Sequence, residues 1–312
     1  MRLPLACSGA DAHGAVVTQP RPNPALAALL TVMASAFAAG TTLLAKALGT
    51  GALGPALHPL QISQGRFLFA FVAIGTAALV LKPSLTRPAL GLHTARSGFG
   101  WGGVTLMFAA AAFIPLSDAT AISFLNPVFG MVFAVLFLGE HVGPRRWGSA
   151  VIALTGAMIL MRPGAGSLQL GALLALGAAL MMGIELILIK RLSGHEGPHQ
   201  ILLVNNAIGL TISTVAASVV WDWPGPAQWA ALAGIGFLMA LAQTFFVNAM
   251  RLADASFASP FFYTTLVFAA FYDTLVFGVW PDMVSVAGAG TILAGAIYLA
   301  WRETRVGKPR DS

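Results

Sequence analysis

Ten runs of roughly 20 mostly apolar residues follow one another along the chain, separated only by short polar breaks, and each is long enough for a helix to cross a bilayer core. No other feature limits the fold as much. In hydrocarbon every backbone N–H and C=O must find a partner within the protein, which leaves helices or a closed barrel. Runs of this length without alternation are helices. They cover 25–48, 58–81, 94–113, 116–138, 144–162, 168–191, 198–220, 226–251, 254–279 and 282–301. Gly54-Pro55, His58-Pro59, Lys82-Pro83, Gly143-Pro144, Arg162-Pro163-Gly164, Gly197-Pro198, Pro224-Gly225-Pro226 and Trp280-Pro281 mark the breaks. The expected class is an all-α integral membrane protein with ten transmembrane helices.

Composition narrows the function. The chain is 57% hydrophobic and 9% charged, against about 25% charge in a soluble domain. The net charge of +6 does not mark a nucleic-acid binder, because the basic residues lie in short loops beside apolar helices. Cys7 is the single cysteine, which excludes a disulfide framework and a cysteine metal cluster. The run Leu3 to Cys7 is too short for a signal peptide core, so 1–24 reads as a disordered cytoplasmic tail. Residues 302–312 read as a second, basic cytoplasmic tail. With the N-terminus inside, 14 of the 17 Lys and Arg residues fall on the inner side, Arg96 counted among them, and only Arg162 falls in an outer loop. Both termini are therefore expected in the cytoplasm.

The chain also repeats itself. Leu252-Ala253-Asp254-Ala255-Ser256 echoes Leu116-Ser117-Asp118-Ala119-Thr120, 136 residues earlier. The expected halves are 25–162 and 168–301, five helices each. An odd number of spans inverts the second half, giving the inverted repeat common in secondary transporters, with a substrate site between the halves near the midplane. Because the repeat supplies symmetry within one chain, a monomer is the expected working unit.

Polar residues inside the spans are candidates for that site. Ser35, Ala39, Thr42 and Lys46 form one stripe on the first helix. Lys46 either meets a substrate carboxylate or snorkels to the headgroups. Arg66 needs a partner, for which Asp273 is a candidate, or else it contacts substrate. Glu185 can bind an amine, carry a proton, or pair with Lys190 or another helix. Trp101, Thr105, Phe108 and Ala112 share a face that serves either packing or a planar substrate. Ser123 and Asn126, with Pro127, interrupt the fourth helix. Gln243, Thr244 and Asn248 mark the eighth, and Tyr263, Thr264 and Thr265 the ninth. Asn205 and Asn206 are expected to bond between helices.

Two motif matches fail on context. His195-Glu196-Gly197-Pro198-His199 fits H-E-x-x-H, but Gly197-Pro198 breaks the helix that zinc ligation needs. Gly98-Phe99-Gly100-Trp101-Gly102-Gly103 fits G-x-G-x-x-G without a preceding strand, and the Gly98/Gly102 pair reads as a close-packing face. No metal and no cofactor is expected.

The residues assembled here resemble the drug/metabolite transporter superfamily, in its form with two EamA-type domains. The resemblance spans 25–301. It rests on Lys46, Arg66, Pro127, Leu138-Gly139-Glu140, Trp147-Gly148 and Thr155-Gly156, with Gly288 and Ala294-Gly295 in the second half. At Phe277 to Asp282 the second half lacks the Gly-Glu pair. Within the superfamily the chain is similar to the YddG-type exporters. That similarity implies export of aromatic or other apolar amino acids across a bacterial inner membrane by alternating access. Thr42, Lys46, Trp101, Phe108, Ser123, Asn126, Glu185, Gln243, Asn248 and Tyr263 would contact substrate. Arg66, Pro127 and Asp273 would have structural or gating roles. A carrier for another metabolite or drug is the alternative. An intramembrane enzyme is a weaker one, because Arg66, Glu185 and Asp273 are scattered along the chain.

Overall fold

The computed structural model describes residues 23–82, 87–138, 144–161, 169–193, 196–252 and 261–306. Their regular structure is helical. Six helices come from the first five apolar runs, the fourth of which is divided: α1 (Pro24–Gly49), α2 (Pro59–Leu81), α3 (Leu90–Phe113), the pair α4 (Leu116–Ser123) and α5 (Asn126–Leu138), and α6 (Pro144–Met161). The second half supplies α7 (Leu170–Ser193), α8 (Pro198–Ala217), α9 (Pro226–Leu252), α10 (Thr264–Phe277) and α11 (Met283–Val306). Prolines at the first turns of α1, α2 and α8 start those helices where a missing N–H costs nothing.

The fourth run is not one helix. It breaks at Phe124-Leu125, where the Phe124 N–H is shared by the carbonyls of Thr120 and Ala121 and Leu125 turns back to Ile122. Pro127 has no N–H to offer the Ser123 carbonyl, so the ladder fails there. The Pro127 side chain lies outside the described residues. The tail 1–22, Glu140 and 253–260, which holds the repeated Asp254 motif, lie outside them as well.

The packing partners reveal an internal two-fold. With α1 equivalent to α7, α2 to α8, α3 to α9, α4 and α5 to α10, and α6 to α11, the most extensive contacts have counterparts. α1 lies on α9 as α7 lies on α3; α2 lies on α9 as α8 lies on α3; α10 lies on α1 as α4 and α5 lie on α7. The pairs α2·α8 and α6·α11 lie on the axis. At the second pair the backbones nearly touch: a Cβ on Gly156 would sit 2.7 Å from the Gly288 carbonyl oxygen.

Six helices among the described residues are long and apolar enough to cross a bilayer. Leu79, Val80, Leu136, Phe137, Val267 and Leu275 are each more than 60% exposed, whereas Gln61, Arg66, Arg96, Asn205 and Asn206 are buried. That is the distribution of a protein whose surrounding solvent is lipid. The close face on α3 differs from the Gly98/Gly102 expectation. Gly102 and Gly103 abut Met181 and Met182 of α7, while Gly98 faces open space. α3 has turned that pair so that only its second glycine meets a helix.

Candidate functional site

A cavity of about 370 Å³ lies among helices of both halves, within the range for small-molecule sites. Its apolar wall includes Phe108 and Met107 of α3, Met182 of α7, Phe246 of α9, and Phe262. Thr41 and Thr42 of α1, Ser123, Asn126 and Gln243 supply neutral polar groups. Arg66, Arg96 and Glu185 supply charge.

The helix break explains why Ser123 and Asn126 reach this space. They flank the irregular turn at Phe124-Leu125, which also turns Phe124 toward the cavity. The second half has a matching interruption. Tyr263 is a turn before α10, and its ring meets that of Phe124 edge to face at 5.2 Å between centroids. The Thr264 and Thr265 hydroxyls donate to the carbonyls of Phe261 and Phe262, and Ser35 of α1 also donates to the Phe262 carbonyl. Two broken helices thus meet at the cavity from opposite halves, and each uses side-chain hydroxyls to cover main-chain groups that its ladder leaves open.

Among the residues expected at the site, Thr42, Phe108, Ser123, Asn126, Glu185, Gln243 and Arg66 line the cavity. Others are elsewhere. Lys46 is ion-paired with Asp273, its ammonium also 4.9 Å over the Phe277 ring. Its partner among the described residues is thus a carboxylate of the protein itself. Asp273 is therefore not the partner of Arg66. Its second oxygen accepts the Leu116 N–H at 2.7 Å, tying α1, α4 and α10 together. Trp101 donates its indole N–H to Ser63 of α2 at 3.2 Å, so it braces two helices. Asn248 is exposed and donates to the Thr244 carbonyl of its own helix. Tyr263 packs on Phe124.

Arg96, counted with the inner-side charges although it lies within the 94–113 span, is buried in α3. Its Nη2 lies 3.5 Å from Glu185 Oε1, and its Nη1 donates to the Ile201 carbonyl at 3.3 Å. Gly100 makes room for the carboxylate, since a Cβ there would sit 2.8 Å from Glu185 Oε1. The signal was present in the sequence: Arg96 lies one helical turn before Gly100, in a glycine-rich span that can admit a neighbouring side chain.

Glu196, from the rejected H-E-x-x-H match, fastens one end of the bundle. It accepts the Ala89 N–H at 2.8 Å, bonds His93 Nε2 at 2.8 Å and accepts from Gln200 at 2.5 Å. Burial pushes its carboxyl up, but the Ala89 N–H and the His93 and Gln200 side chains outweigh this and hold it below the usual carboxylate range. His195 lies outside the described residues, and His199 is exposed. Nearby, Ser97 of α3 donates to Asn205 of α8 at 3.1 Å, the interhelical bond expected for that asparagine, whereas Asn206 bonds within its own helix.

Comparison with known proteins agrees with this architecture. The model of the EamA-like transporter family matches residues 25–162 and 169–301. A riboflavin transporter of Rhizobium johnstonii is 32% identical over 250 residues, 76% of this chain and 81% of that protein. An S-adenosylmethionine uptake transporter of Rickettsia bellii is 25% identical over 254 residues, 81% of this chain and 87% of that protein. A solved crystal structure at 17% identity superposes with a TM-score of 0.60, covering 88% of this chain and 99% of its own. The chain is a multi-pass membrane protein and belongs to the EamA-like transporter family of the drug/metabolite transporter superfamily.

Proposed function

We propose that this transporter carries a small, planar, largely apolar metabolite by alternating access, and that the cavity between the halves is its substrate site. The observation that carries the reading is the wall itself: Phe108, Phe246, Phe262 and methionines together with a charged cluster, at the meeting point of two broken helices. Aromatic amino acids, with a ring and a polar end, fit that combination, and their export across a bacterial inner membrane is the working assignment. The positive-inside pattern supports a cytoplasmic position for both termini, and the single chain is taken as the transport unit.

Flavins are the second reading, favoured by the riboflavin transporter at 32% identity. A three-ring isoalloxazine makes the same demand for a stacking wall. Flux into and out of proteoliposomes containing only this protein separates the two. Tryptophan, phenylalanine, alanine and riboflavin are offered in turn, with and without a pH gradient. Saturable tryptophan and phenylalanine flux, inhibited by other aromatics, supports the amino-acid assignment. Saturable riboflavin flux alone replaces it with the flavin one. Flux of none of them above empty liposomes overturns both.

A further inference from the structure

The cavity contains more positive than negative charge. Arg66 and Arg96 line it and are each 5% exposed, and Glu185 is the one carboxylate among its described lining residues. That carboxylate faces Arg96. Arg66 has no carboxylate within 4 Å among the described residues. Its guanidinium lies over the ring of Phe67, with 4.5 Å between its Cζ and the ring centroid. This contact covers a face and leaves the hydrogen-bonding edge. Arg66 Nε and Nη1 and Arg96 Nε are buried without an acceptor among the described residues.

Buried guanidinium donors left unmade are costly, and within a membrane span such a charge marks a pathway or a partner. The planar fork of arginine matches the paired oxygens of a carboxylate or phosphate. Lys46 cannot serve instead, because Asp273 already neutralises it. We propose that the substrate carries an anionic group, carboxylate or phosphate, held jointly by Arg66 and Arg96, with Glu185 positioning Arg96. The proposal rests on the cavity being the substrate site, and it names the chemistry of one end of the ligand. Gln243 Oε1, on α9, is also buried without a donor among the described residues. The same molecule therefore presents an N–H or O–H apart from its anion. The two requirements together describe an acid with a polar donor and an apolar body.

The test is binding to the purified full-length protein in detergent, followed by ligand-induced thermal stabilisation. Benzoate is compared with benzamide, riboflavin 5′-phosphate with riboflavin, and inorganic phosphate is run alone. In at least one arm the anion is expected to bind about tenfold or more tighter than its neutral partner, and the arm identifies carboxylate or phosphate. Arg66→Lys keeps the charge without the fork and should reduce that preference. Arg66→Gln, if folded, should abolish it. Equal binding of neutral and anionic partners in both arms overturns the proposal while leaving the aromatic reading intact. A preference that persists in folded Arg66→Gln also overturns it. Stabilisation by inorganic phosphate alone, lost in Arg66→Lys, keeps the anion site and removes the aromatic one. No stabilisation by any compound overturns both. The wild-type comparison stands even if neither variant folds.

Discussion

Lys46 of α1 and Asp273 of α10 form an ion pair that bridges the two halves, and Asp273 simultaneously caps the first turn of α4 through the Leu116 N–H. Both side chains are at least nine-tenths buried. Removing one partner leaves the other charged and buried, which costs about 3–5 kcal/mol. Asp273→Asn should therefore lower the unfolding temperature in detergent sharply. Lys46→Met combined with Asp273→Leu should recover much of the loss, because the pair is replaced by apolar volume. Equal destabilisation in the double variant would count against the pair as the cause.

At the other end, Glu196 gives the protein a dependence on acid. Its folded carboxyl titrates below its unfolded value, so its contribution is full above the ordinary carboxylate pKa and is lost as pH falls through the depressed one. The wild type should lose stability over that acidic window. Glu196→Gln should start less stable near neutral pH and show a shallower decline. Unfolding temperatures of both proteins from pH 7 downward check the sign.

Gly156 and Gly290 should respond oppositely to the same change. A Cβ on Gly156 would meet the backbone of α11 at 2.7 Å from both the Gly288 oxygen and the Ile292 nitrogen. One on Gly290 meets nothing within 4 Å. Gly156→Ala should force α6 and α11 apart and reduce the yield of folded protein. Gly290→Ala should be neutral or raise stability by up to about 1 kcal/mol through helix propensity. Size-exclusion profiles and thermal unfolding distinguish the two.

Asn126 and Asn248 look alike in sequence, each the single asparagine of its apolar span. Asn126 lines the cavity, while Asn248 is exposed and bonded within its helix. At matched expression, Asn126→Ala should lower transport by about fivefold or more, the worth of one buried hydrogen bond. Asn248→Ala should leave it unchanged. A reversed result would remove the cavity as the substrate path.

The contrast between those asparagines shows what the sequence can carry. Helix positions were legible because a span of hydrocarbon thickness must be continuous and apolar, and proline and glycine mark its ends: α2 and α8 begin one residue from, or at, their expected starts. Thr42, Phe108, Ser123 and Gln243 were legible because a polar or aromatic residue at membrane depth needs a reason. Partners were not legible. The choice of Asp273 by Lys46 rather than Arg66 depends on how α10 turns against α1, 227 residues away. Arg96 was missed for a simpler reason. It lies near the start of the 94–113 span, where the positive-inside count took it for an inner-side charge, and burial that near a helix end depends on how α3 packs.

The cross-half packing bears on how the protein is made. The largest faces of α1, α2, α3 and α6 are covered by α9, α8, α7 and α11, all of them translated later. The first five spans therefore enter the membrane before their partners exist. They must wait there with Arg96 lacking Glu185 and Lys46 lacking Asp273. Insertion and folding are consequently separate events for this chain. Synthesis that stops after the first half yields spans that are inserted but have nothing to fold against, a natural target for membrane quality control.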